Sequence, residues 1–291
     1  MYDSNLRISL KNVKKEDMLF KKIWKIYFSA TGTTEKTVNT IADRLAELAE
    51  VPTRTFDFTL PINRQSFPAL SASDLVVFGC PTYAGRIPNL MLKYLDTIQG
   101  GGACAVPVVT FGNRHFDNAL IELRNLLEQH GFKTVAAGAF ACEHAFSYRL
   151  GTGRPDADDL QFAADFARQV FEKLSRNNAL SAPHTPIAVD GNAQAGYYQP
   201  RDRNGNPIDF RKAKPLTRDT CIRCGHCAEI CPMGAISKED VKAVTGICIK
   251  CGACIKKCPV KAKYFEDAGY LYHKNELEAM YQRRAENKVF V

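Results

Sequence analysis

The 291-residue chain lacks any run of about 18 consecutive apolar residues, which excludes a membrane-spanning helix. Its first 20 residues, MYDSNLRISLKNVKKEDMLF, carry charges throughout and no apolar segment, so no secretory leader is expected and the expected location is cytoplasmic. A GxGxxG turn is missing, which disfavours dinucleotide binding. No Lys stands in the position that an ATP-type phosphate loop requires. What the chain does have is a globular composition, 45% hydrophobic and 24% charged, rich enough for a sizeable core and too apolar for disorder throughout. The length suggests about two domains.

Cysteine is the residue in excess. There are 11, and eight of them lie between Cys221 and Cys258. In a reducing compartment such a cluster points to metal rather than to disulfides. Cys221, Cys224, Cys227 and Cys231 recur as Cys248, Cys251, Cys254 and Cys258, each displaced by 27 residues, and Pro232 and Pro259 follow the fourth member of each set. Two-residue gaps on one tight loop, permitted by Gly225 and Gly252, let three thiolates reach three irons of a cubane cluster. The fourth Cys, followed by Pro, is turned away toward the other cluster. The expected ligand sets are Cys221, Cys224, Cys227 with Cys258, and Cys248, Cys251, Cys254 with Cys231. Zinc held by CxxC pairs is the alternative, but zinc ribbons use two separated knuckles, whereas here a third and a fourth Cys follow each pair. Residues 218–262 resemble the bacterial two-cluster ferredoxins. Cys80, Cys104 and Cys142 sit at strand ends and read as buried, inert thiols.

From 21 to 178 the pattern alternates strand and helix. Strand candidates are 22–29, 53–59, 74–80, 105–112 and 133–140, several of them near-continuous apolar runs as in parallel strands covered on both faces. Helical faces recur at Val38, Ile41, Leu45, at Leu90, Tyr94, Leu95, at Leu120, Leu123, Leu127 and at Phe162, Phe166, Val170. The expected fold is an α/β, doubly wound, five-stranded parallel sheet of order 2-1-3-4-5, with a second, small α+β domain. The expected divisions are a 1–20 extension, a 21–178 sheet domain, a Pro- and Gly-rich 179–217 linker, a 218–265 cysteine domain and a 266–291 tail with a short helix near Asn275–Glu286.

Three loops leave the carboxyl ends of strands one, three and four, where ligands bind in such sheets. The first, Ser29-Ala30-Thr31-Gly32-Thr33-Thr34, places hydroxyls and backbone N–H groups at a helix N-terminus, a cradle for phosphate. Thr33 or Thr34 as a plain N-cap is the alternative. The second contains Pro81-Thr82-Tyr83-Ala84-Gly85, and the third Gly112-Asn113-Arg114-His115-Phe116. Over residues 21–178 the chain resembles the flavodoxin family, whose phosphate loop has the form S/T-x-T-G-x-T. The resemblance implies FMN, with the phosphate on Ser29 to Thr34 and the ring between Pro81, Thr82, Tyr83, Gly85 and Gly112, Asn113, Arg114, Phe116. Asn113 stands where the family carries an acid. Arg114 could supply a cation near the reduced flavin.

The order of the two segments resembles the flavodoxin–ferredoxin fusion proteins of anaerobic bacteria and archaea. That resemblance implies electron transfer between FMN, two 4Fe–4S clusters and a partner oxidoreductase. A reductase acting directly on a small substrate is the rival, with Tyr83, His115 or His144 as proton donors. The formal net charge is +8. Residues 218–265 hold nine basic side chains against four acidic ones. Bound clusters and FMN would cancel much of this excess, which argues against a nucleic-acid partner. The expected partner docks an acidic patch at Lys256 and Lys257.

Overall fold

The computed structural model describes residues 20–176 and 183–291. Expectations for the 1–20 extension fall outside the described residues, apart from Phe20. Strands β1 (Lys22–Tyr27), β2 (Thr53–Asp57), β3 (Asp74–Pro81) and β4 (Cys104–Phe111) form the centre of one twisted sheet. β1 runs parallel to both of its neighbours, with Ile26 opposite Phe56 on one side and Phe78 on the other. The fifth segment breaks into β5 (Lys133–Thr134) and β6 (Ala137–Ala141), both parallel to β4.

Helices α1 (Thr33–Ala49), α2 (Asn89–Leu95), α3 (Ala119–Gln129) and α4 (Ala157–Ser175) cover both faces. Along β3 the side chains alternate as a pleated strand requires. Leu75 and Val77 pack under α1 and α4, against Val38, Ile41, Leu45, Phe166 and Val170. Val76 and Phe78 pack under α2 and α3, against Met91, Leu95, Leu120 and Leu123. Removing one of these fully buried side chains, as in Leu45→Ala, would cost about 2–5 kcal/mol.

The cysteine-rich module is small. β7 (Leu216–Thr217) pairs antiparallel with β8 (Lys263–Tyr264), and two single turns, α5 (His226–Glu229) and α6 (Ala253–Lys256), follow the two glycines Gly225 and Gly252. These glycines take φ of 78° and 76°, left-handed values that carry no Cβ penalty in glycine.

The C-terminal segment departs from expectation twice. Its helix, α7, spans Ala268–Met280 rather than 275–286, because Asp267 caps it by accepting the N–H of Tyr270 at 2.8 Å. The chain then returns to the first module as β9 (Lys288–Phe290), an antiparallel sixth strand in the line β2-β1-β3-β4-β6-β9. β9 covers the edge that β6 would otherwise leave unpaired. The Pro- and Gly-rich segment drapes over the same module. Asn192 donates its N–H to Asn118 Oδ1 at 2.7 Å, Arg86 reaches the Ala195 carbonyl, and Tyr198 donates its N–H to the Ala84 carbonyl at 2.8 Å.

Candidate functional site

The eight clustered cysteines surround two cavities. Cys221, Cys224, Cys227 and Cys258 line one, with about 320 Å³ of empty space that is partly open to solvent. Cys231, Cys248, Cys251 and Cys254 line the other, of about 400 Å³. Each cavity thus takes three cysteines from one repeat and the fourth from the other. Backbone N–H groups point at the sulfurs in the same pattern in both repeats. Arg223 N lies 3.4 Å from Cys221 Sγ and Lys250 N 3.4 Å from Cys248 Sγ, while Ala235 N lies 3.3 Å from Cys231 Sγ and Ala262 N 3.2 Å from Cys258 Sγ. Such bonds stabilise thiolate and shape cluster potentials. Burial pushes the Cys251 thiol up to about 12, so a thiolate there requires a cationic group beside it. Four cysteine sulfurs per cavity, two of them facing backbone N–H groups, make a donor set that fits a 4Fe–4S cluster.

The two cavities are not equivalent in position. Cys251 and Ala253 belong to the same apolar core as Ile87, Phe116 and Leu120 of the sheet module, with Ile230, Met233 and Ile249 packed against it. A Cβ at Gly252 would sit 2.6 Å from the Ala145 carbonyl oxygen. Arg64 Nη2 donates to the Pro232 carbonyl at 2.7 Å. The Cys251 cavity thus faces the sheet module and is the inner one. Around the other cavity Cys224 is exposed, and Ile222 and Val260 are 61% and 37% exposed. The two modules therefore share a core, which the sequence pattern did not indicate.

The first sheet loop is divided in its roles. Ser29 Oγ accepts the N–H of Glu35 at 2.9 Å, so Ser29, not Thr33 or Thr34, caps the first turn of α1. The hydroxyl of Thr34 is buried against that of Thr110 at 2.7 Å, and Ala30 is 4% exposed. Thr31, Gly32 and Thr33 remain partly open. Gly32 has φ of 97°, and nothing lies within 4 Å of where a Cβ would be. An anion cradle at a helix start has this character. On the second loop, beyond Pro81, the Thr82 hydroxyl is buried with no hydrogen-bond partner among the described residues. A flavin edge carries the donors and acceptors to satisfy it, so these residues fit the group. Tyr83 is half-buried, and burial, followed by the nearby Cys251, Cys80 and Cys248 sulfurs, holds its hydroxyl well above the ordinary tyrosine range. Gly85 has φ of 75°, and a Cβ there would meet Asp117 Oδ2 at 2.7 Å.

On the third loop, Phe116 and Asn113 are both engaged by the protein itself. Phe116 is 4% exposed and packs inward on Phe111; the ring stacked on it is His115, at 4.7 Å. Its apolar ring anchors the loop in the core instead of standing open beside it. Asn113, expected at the flavin edge, is 2% exposed and bonds elsewhere. Its Nδ2 donates to the carbonyls of Tyr281 and Arg283 at 2.8 and 2.7 Å, and its Oδ1 accepts from Ala285 N at 3.1 Å and Arg154 Nη1 at 3.3 Å. Arg154 is itself buried in an ion pair with Asp159 at 2.6 Å. Arg114 pairs with Asp117 and lies over the Tyr198 ring at 4.2 Å, so its charge is already partly engaged. The imidazole of His144 occupies the space that a Cβ at Gly112 would need.

Sequence reasoning missed Arg154, Tyr198 and the 281–287 segment. Their contacts join residues far apart in the chain, and no local pattern marks them. Cys80, Cys104 and Cys142 are buried, and burial pushes the Cys142 thiol up to about 12.

Residues 220–262 match the family model described as a 4Fe-4S dicluster domain, and residues 29–147 match the one described as NADPH-dependent FMN reductase. Similar solved structures include a flavodoxin from the domain Archaea, at 16% identity over 53% of this chain and 99% of that one, with a TM-score of 0.40. A Streptococcus pneumonia TIGR4 flavodoxin gives 16% over 52% and 99%, with a TM-score of 0.37. Rubredoxin oxygen:oxidoreductase from Desulfovibrio gigas gives 17% over 58% and 40%, with a TM-score of 0.39. No curated protein matches the chain.

Proposed function

We propose that this chain, a flavodoxin-like domain joined to a 4Fe–4S dicluster domain of ferredoxin type, is an electron-transfer protein that binds FMN and two 4Fe–4S clusters and serves a redox partner. When bound, FMN supplies one- and two-electron chemistry and each cluster one-electron chemistry. Thr31, Gly32 and Thr33 hold the phosphate, while Ser29 and Thr34 brace the loop from within. Thr82 offers its free hydroxyl to the ring, and Tyr83 with the inner cysteines excludes water between the two modules. The observation that carries this reading is the packing of Cys251 and Ala253 into the core of the sheet module. It brings the inner group of Cys231, Cys248, Cys251 and Cys254 to the core that Tyr83, Ile87 and Phe116 share, which supports electron exchange with FMN without a diffusing carrier.

The outer group, Cys221, Cys224, Cys227 and Cys258, meets the partner. Exposed Arg223, Lys257 and Lys261 surround it, beside Ile222 and Val260, and suit a partner with an acidic patch around an apolar centre. Chemical analysis of anaerobically purified protein tests the reading. We expect about eight irons, about eight acid-labile sulfides and one FMN per chain. Two zinc ions without sulfide, or no flavin, would overturn it.

A further inference from the structure

The duplication aligns Cys231-Pro232-Met233-Gly234-Ala235-Ile236 with Cys258-Pro259-Val260-Lys261-Ala262-Lys263. The fold preserves the equivalence. Ala235 N and Ala262 N donate to the sulfurs of Cys231 and Cys258, and these two alanines are 1% and 0% exposed. The next position breaks the symmetry. Ile236 is 5% exposed and lines the inner cavity with Cys231, Cys248, Cys251 and Cys254. Lys263 is 3% exposed and lines the outer cavity with Cys221, Cys224, Cys227 and Cys258, and its charge also reaches Cys254 of the inner group from farther along the repeat. One repeat thus buries a hydrocarbon where the other buries an ammonium.

The ammonium is held by neutral oxygens. Its Nζ donates to Thr217 Oγ1 at 2.7 Å and to the Val241 carbonyl. Neither partner carries a charge, and an ammonium taken so far out of water is costly unless negative charge stands close by. The negative charge available in the same cavity is that of the four thiolates and the cluster they hold. Adding an electron makes a cluster more negative, and a fixed buried cation favours that change because little water is present to screen it.

We infer that Lys263 raises the reduction potential of the outer cluster above that of the inner one, and so sets the direction of electron flow outward from the sheet module. With clusters bound, one electron would leave the group held by Cys231, Cys248, Cys251 and Cys254, oxidising it, and enter the group held by Cys221, Cys224, Cys227 and Cys258, reducing it. The step needs no other reactant. This inference rests on the reading of the cysteines as two 4Fe–4S sites. It adds that the two sites differ in potential, and names the residue responsible.

The test is a redox titration of the full-length, anaerobically purified protein followed by electron paramagnetic resonance, for the wild type, Lys263→Met, Lys263→Gln and Lys263→Arg. Iron and sulfide content are measured first on each. The wild type is expected to show two reduction steps. In Lys263→Met the upper step should fall by at least tenfold in its equilibrium constant, about 59 mV for a one-electron couple, while the lower step moves less. Lys263→Gln keeps a hydrogen-bond donor toward Thr217 and carries the test if the Met variant loses iron; it should behave as Met does. Lys263→Arg keeps the charge and should keep the separation. Unchanged steps in the neutral variants, or equal shifts of both steps, would overturn the inference. A wild type without iron and sulfide would instead overturn the reading of the two sites.

Discussion

Lys256 Nζ lies 2.6 Å from Glu143 Oε1, with only a tenth of the lysine side chain exposed. The same ammonium stands 3.9 Å from the centre of the Tyr148 ring and donates to the Ser147 carbonyl. This contact ties the second cysteine repeat to the loop that leaves β6. It also revises one expectation from charge alone. Lys256 is spent inside the molecule and is not free to steer a partner, whereas Lys257 is exposed. Lys256→Glu should therefore loosen the contact between the modules. Hydrogen exchange is expected to rise in residues 143–148, with the cluster absorbance unchanged. Lys257→Glu should leave exchange alone and slow association with the redox partner, most visibly at low ionic strength, where the Debye length exceeds about 10 Å. The reverse assignment of effects would contradict the structure.

Asn113 is held at its position by what it donates. Two carbonyls of the C-terminal segment accept from its Nδ2, and its φ of 62° is one that Asn and Asp both tolerate. Asn113→Asp keeps the size and the backbone but sets a carboxylate against two carbonyl oxygens. Leaving such buried groups unpaired costs about 1–3 kcal/mol, more for a charge. The variant should melt at a lower temperature and expose residues 281–290 to proteolysis. An unaltered cleavage pattern would show that the segment is held by other contacts.

For the phosphate cradle, Thr31→Asp places a negative side chain on the open part of the first loop. Like charges about 4 Å apart in a partly buried site repel by several kcal/mol, which lowers affinity by orders of magnitude. Fluorescence titration of the flavin-free protein with FMN should show this loss, while iron content stays at its wild-type value. Unchanged affinity would move the phosphate to another loop.

Two imidazoles make stability depend on pH. Burial, then His273 and Lys256, hold His144 down to about 3, and burial, then Arg114, hold His273 down to about 4. The unfolded chain takes up these protons near the ordinary value of about 6.5, and the folded chain resists them. Their contribution is thus full above about 6.5 and is lost as pH falls toward 4. The urea midpoint, followed by fluorescence of the single Trp24, should drop between pH 7 and pH 5. The double variant His144→Asn, His273→Asn should flatten that dependence. An equally steep fall in the variant would assign it to other groups.

The parts legible in the sequence were those whose determinants are local. Cysteine spacing is local, and the four cysteines that line each cavity are the four that the spacing groups together. The central strands could be located because covered parallel strands are apolar on both faces. The third loop is less legible. Gly112 and Asn113 look like cofactor residues, yet His144 fills the space over one and the segment around Tyr281 and Arg283 engages the other, across 168 and 170 positions of chain for the two Asn113 donations. β9 has three residues, too few for a period to register. Lys263 was counted among nine basic side chains without any sign that it alone of the two equivalent positions would be buried as a charge.

Electron transfer between the flavodoxin-like and ferredoxin-type modules within one chain is the expected behaviour. Photoreducing the flavin of the FMN-loaded, full-length protein and following cluster bleaching at several protein concentrations tests it most directly. The contact through Cys251, Tyr83 and Lys256 predicts a first-order rate that does not change with concentration. A rate proportional to protein concentration, or clusters that bleach only when a second protein is added, would contradict it.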